Sequence, residues 1–159
     1  MATTITPAEM TITVTESVTL NGVDFGSTLT RTIADIAEIS KRIITVTTTE
    51  SVIATFSAAT PAAGHYLAAN VRYIRFTNLD NANFITLTFR NQDNDEVAIK
   101  LDNGQSLIWN GDNANGMSAV FNATQDADAA SDTAFGSLTN IQADANTADV
   151  DLEMIIASA

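Results

Sequence analysis

Residues 71–109, VRYIRFTNLDNANFITLTFRNQDNDEVAIKLDNGQSLIW, alternate apolar and polar side chains between three clusters of turn formers, at 78–83, 91–95 and 102–104. Alternation with a period of two, bounded by Asn, Asp and Gly, is the pattern of short β-strands joined by turns. The parity is consistent along the stretch. Ile74 and Phe76 can share a face with Ile85, Leu87 and Phe89, while Tyr73, Arg75 and Thr77 and then Thr86, Thr88 and Arg90 occupy the opposite one. This predicts a β-meander with one core face and one wet face, on which Arg75 and Arg90 fall together. Val97, Ile99 and Leu101 continue the core row, and Asp102-Asn103-Gly104 supplies the positive φ of a tight hairpin that returns through 105–109.

The pattern extends in both directions. Residues 1–10 have no period and are expected to form an N-terminal arm ahead of a single domain at 11–159. Ile12, Val14, Val18 and Leu20 then alternate with threonines and serine, interrupted only by Glu16, and a turn follows at Asn21-Gly22. Residues 28–39, TLTRTIADIAEI, fit either a strand or a helical face; threonine density favours a strand first, with a short helical turn at 34–40. Two further strands are expected at 41–50 and 51–57. The segment 58–70, with Pro61 and Gly64, is predicted to cross between sheets. Beyond Trp109, a loop at 110–116 leads to a strand at 117–123, and 124–137 forms a polar surface excursion. Strands at 138–143 and 150–157 close the chain, the last with Val150, Leu152, Met154 and Ile156 on one face. About nine or ten short strands, no strong helix and no repeat predict an all-β fold, an antiparallel β-sandwich or jelly roll.

At 159 residues the chain can bury one core without staples. It contains no cysteine, which excludes disulfides, thiol catalysis and thiolate metal sites. No secretory signal is legible, and the uncharged run 51–71 is broken by Pro61, Gly64 and His65, so no membrane span is expected. Nineteen acidic residues face seven basic ones. All seven bases lie between Arg31 and Lys100, and the nine acidic residues beyond Lys100 have no base among them. Such a C-terminal third repels phosphate backbones and argues against nucleic-acid binding. It either solvates a surface or matches a basic surface on a partner.

Sites of chemistry are sparse. His65 is the only histidine, with no nucleophile elbow near it in sequence, so neither catalysis nor a zinc site is expected. Asp93-Asn94-Asp95-Glu96 and Asp126, Asp128 and Asp132 could offer oxygen ligands to calcium, but neither group matches the twelve-residue calcium loop; solvated turns are the simpler reading. The glycines are dispersed singly, so no phosphate cradle and no cofactor is expected. Trp109, Tyr66 and Tyr73 are the candidate aromatics for a glycan, with Trp109 more simply a core or rim anchor. Arg72, Arg75, Arg90 and Lys100 form the densest basic group, and with Trp109 they make up the candidate interface.

The segments RYIRFTNLDNANFITLTF, VAIKLDNGQSLIW and TNIQADANTADVDLEMIIASA resemble small β-sandwich virion proteins of tailed bacteriophages, particularly of marine phages. The resemblance covers roughly residues 71–159 and is one of pattern, without a diagnostic site. It implies a non-enzymatic structural protein located in the virion, on the capsid surface: a decoration or cement protein. Its implied partners are the major capsid protein or other virion proteins and further copies of itself, as a trimer or other symmetric oligomer. A tail or fibre component and a glycan-binding sandwich module are the alternatives.

Overall fold

The computed structural model describes residues 4–57, 62–110 and 138–159, together with the backbone of two short strands at 118–119 and 133–134. The chain is all-β. Its strands are β1 (Ala8–Glu16), β2 (Thr19–Leu20), β3 (Val23–Asp24), β4 (Ser27–Ile36), β5 (Glu38–Val46), β6 (Ser51–Ser57) and β7 (Tyr66–Leu67). After one 3-10 turn at Ala68–Asn70 come β8 (Val71–Asn78), β9 (Ile85–Asn91), β10 (Glu96–Leu101) and β11 (Ser106–Asn110). The isolated pair β12 (Ser118–Ala119) and β13 (Thr133–Ala134) precedes β14 (Leu138–Ala145) and β15 (Val150–Ser158).

Two sheets form the body. One runs β10-β9-β14-β6-β7, antiparallel except for the β6/β7 pair, and the other is an antiparallel sheet of order β11-β8-β15-β5. Their inner faces meet in one core. Ile85, Leu87, Phe89, Ile141 and Ala143 come from the first sheet; Ile74, Phe76, Leu152, Met154 and Ile156 come from the second. Burying each large side chain there stabilises the fold by about 1.5–3 kcal/mol. The alternation expected at 150–157 is realised: Val150, Leu152, Met154 and Ile156 are all buried in β15, the centre of its sheet.

The stretch 71–109 is not a meander. β8 pairs with β15 and β11, whereas β9 pairs with β14 and β10, so consecutive strands β8 and β9 belong to opposite sheets. Their apolar rows do face one core, but across it. The turn at 102–104 likewise bends the chain from one sheet to the other instead of closing a hairpin. Asn78 secures both corners. Its buried Nδ2 donates to the carbonyls of Asn83 (2.9 Å) and Leu101 (3.1 Å), its Oδ1 accepts from the Asp80 amide, and its own amide donates to the Gln105 carbonyl. Only β9 and β10 form the expected hairpin, closed through 92–95, where Asn94 takes a positive φ. Leu101 is buried as expected. Val97 and Ile99 are exposed, because β10 is an edge strand.

Elsewhere the ambiguity at 28–39 resolves to strand throughout. The expected helical turn is absent: β4 runs into β5 through a kink at Asp35, whose φ is +59°, and Ala37 donates to the Ser158 carbonyl. Ala8, Glu9 and Met10, expected in the arm, belong to β1. The crossing segment carries β7. The strand expected at 117–123 and the excursion at 124–137 lie outside the described residues, apart from the backbones of β12 and β13.

Candidate functional site

The candidate interface residues are not assembled into one surface. Arg75 projects from the outer face of the four-stranded sheet and pairs with Glu153, which also takes Lys41 Nζ at 2.9 Å. Arg75 and Lys41 both lie opposite Ile155 in register, one on each side of β15, and each reaches diagonally to Glu153 two residues along that strand. Arg90 lies on the outer face of the other sheet, where its Nε donates to Glu96 at 2.6 Å. The two arginines therefore stand on opposite faces of the sandwich, which corrects the expected shared wet face. Lys100 pairs with Asp102 (2.7 Å) and sits 4.4 Å from the centre of the Phe84 ring. Arg72 Nη1 donates to the Ala69 carbonyl at 2.9 Å. Trp109 packs against the core, 5.8 Å from Phe89 ring to ring, as an anchor at its rim. Tyr73 is buried, with its hydroxyl pushed up in pKa by that burial, so its ring offers no glycan platform.

A different surface stands out from the register. β1 and β4 pair along their whole length, from Ala8 opposite Ile36 to Glu16 opposite Ser27, and make a two-stranded ribbon. Its base is anchored: Ile33 and Ile36, with Met10 and Ile12, pack on Tyr73, Ile155 and Ala157 on the outer face of the four-stranded sheet. Its far end is capped by the β2/β3 pair, whose connecting residues Asn21 and Gly22 have φ of +51° and +80°. Positive φ at both central residues is the two-residue turn that Asn-Gly favours. Val18, Leu20, Val23 and Phe25 are exposed there, Phe25 at 61%. Their apolar character was legible in the sequence. Their lack of a facing layer was not, since a strand on a sandwich and a strand on an outlying ribbon share one alternation.

The second feature is a cleft of about 210 Å³ at the open seam where β5 and β7, the edge strands of the two sheets, come together. Glu38, Ser40, Arg42, Gly64, His65 and Tyr66 line it. Tyr66 Oη donates to Ser40 Oγ at 2.9 Å, and Arg42 Nη2 donates to the Ile53 carbonyl and to Tyr66 Oη, both at 3.3 Å. His65 Nδ1 lies 3.0 Å from Ser57 Oγ. Sequence spacing did not reveal that pair, because the two residues meet only when β7 aligns beside β6.

The acidic turn at 93–96 is held internally: Asn91 Oδ1 accepts from the amides of Asp93 and Asp95, and its Nδ2 donates to Asp95. Among the described residues, no three His, Asp or Glu side chains gather as a metal group; Asp126, Asp128 and Asp132 lie outside them. No helix among the described residues is long and apolar enough to cross a membrane. Comparison with family models, with curated proteins and with solved structures finds no match.

Proposed function

We propose that this chain is a non-enzymatic virion structural protein, a capsid decoration protein that docks through the distal half of its β1–β4 ribbon. The observation that supports this reading is the exposure of four apolar side chains at the ribbon end, Val18, Leu20, Val23 and Phe25. Apolar groups gathered at one exposed site mark a contact surface more often than a solvated one. The ribbon's base packs on the outer face of the four-stranded sheet and ties the ribbon to the body. The pattern resemblance of residues 71–159 to phage virion sandwiches points to the shell and to neighbouring copies as what the ribbon meets. Burying such a tip against a neighbour stabilises an assembly by mass action.

The test has two parts. Mass spectrometry of gradient-purified virions from a phage carrying this sequence should find the chain in stoichiometric amount; its absence would refute the virion assignment. Purified protein should bind shells lacking it, and Leu20→Ser with Phe25→Ser should abolish that binding while leaving the melting temperature unchanged. Undiminished binding by the double variant would refute docking through the ribbon.

A further inference from the structure

The cleft at the β5/β7 seam has the chemistry of a binding site that the ribbon does not use. Glu38, Ser40 and Arg42 occupy alternate positions of the edge strand β5, so all three address the same side, and Tyr66 and His65 close it from the facing sheet. Among the described residues Arg42 has no carboxylate within ion-pair distance, in a chain with nineteen acidic residues and seven basic ones. Its two hydrogen bonds go to neutral oxygens at 3.3 Å, near the outer limit for such bonds. A guanidinium in that state retains most of its donor fork for a planar anion.

The remaining groups narrow the class of ligand. Glu38, when ionised, can only accept, so it rejects a second anionic group and calls for hydroxyl donors. Ser40 and Tyr66 hydroxyls can both give and receive, and His65, with Nδ1 engaged by Ser57, offers Nε2. A volume of about 210 Å³ falls below the ~300 Å³ at which pockets for drug-sized ligands begin, and so suits one ring-sized molecule. A dicarboxylate would set its second charge against Glu38. A neutral sugar would leave Arg42 unmatched.

We propose that this cleft binds a single uronic-acid sugar residue, its carboxylate on the Arg42 guanidinium and its hydroxyls shared among Glu38, Ser40, His65 and Tyr66. The site does not depend on the ribbon docking proposed above and can fail or stand without it.

The experiment is ligand-observed NMR and calorimetric titration of the full chain with glucuronate and galacturonate, using glucose, galactose and succinate as comparators. At least one uronate should bind saturably; the neutral sugars should be about tenfold weaker or more, lacking the charge-assisted contact to Arg42, and succinate should also be weaker, since its second charge meets Glu38 and it has no hydroxyls to share. Arg42→Gln should weaken the uronate by about tenfold or more. Tyr66→Phe, which removes a single oxygen, should weaken it less, and Arg90→Gln on β9, three strands from β7 in the same sheet and outside the cleft, should leave it unchanged. The proposal is overturned if neither uronate saturates, if glucose, galactose or succinate binds equally well, or if a folded Arg42→Gln binds the uronate as well as the parent does. Should Arg42→Gln fail to fold, the comparator ligands and Tyr66→Phe decide the matter.

Discussion

Arg75 on β8 and Glu153 on β15 form an ion pair across neighbouring strands, and Lys41 on β5 reaches the same carboxylate from the other side. The hydrogen bond and charge of Lys41, together with Arg75, hold the Glu153 carboxyl below the usual carboxylate range. A carboxyl whose folded pKa is depressed contributes stability that is fully present above its unfolded pKa, about 4.3, and lost as pH falls through the folded value. Glu153→Gln should therefore lower the melting temperature at pH 7, with the gap from the parent closing below pH 4. Differential scanning calorimetry across that range checks it; a gap that widened toward acid would contradict the pairing.

Asn78 predicts a larger effect than its polar type suggests. It is fully buried and satisfies carbonyls from both inter-sheet corners. Asn78→Ala leaves the Leu101 carbonyl buried without that donor and releases the 78–84 corner, at a cost of about 3 kcal/mol. A urea midpoint shift with the slope preserved would measure it.

Phe76 and Phe89 meet edge to face across the core, ring centres 6.4 Å apart and planes at 79°. Each comes from a different sheet, so their contact is part of what joins the layers. Phe76→Ala should cost about 3–5 kcal/mol in denaturant unfolding, from lost burial and the cavity left behind.

The ribbon should open independently of the body. A Cβ added at Gly26 would lie 2.6 Å from the Glu16 carbonyl oxygen, so Gly26→Val forces the strands apart where β1 meets β4. Amide exchange in residues 13–30 should accelerate in this variant, while β8, β9, β14 and β15 keep their protection. Loss of protection throughout the body would show instead that ribbon and sandwich unfold as one unit.

The inward rows of β8, β9 and β15 were readable because burial on one face leaves a period of two whatever lies opposite. That same indifference hid the rest. Residues 34–40 could be divided between helix and strand on pattern alone; only the pairing of β4 with β1 and of β5 with β15 decides for strand. Val97 and Ile99 carry the parity of core residues, yet exposure depends on a strand's place in its sheet, which local pattern does not encode.

The candidate surfaces divide in the same way. The amino-acid sequence by itself determined an all-β chain, the inward rows of β8, β9 and β15, the Asn21-Gly22 turn and the absence of thiol chemistry. Tertiary structure alone decided that β8 and β9 face each other across the core, which sends Arg75 and Arg90 to opposite sides of the molecule. It also decided that residues 8–36 leave the sandwich as a ribbon and that Ser57, His65, Arg42 and Tyr66 converge at one seam. The physical reason is that alternation records which side of a strand is buried, whereas sheet membership and seam contacts follow from backbone pairings between residues distant in the chain.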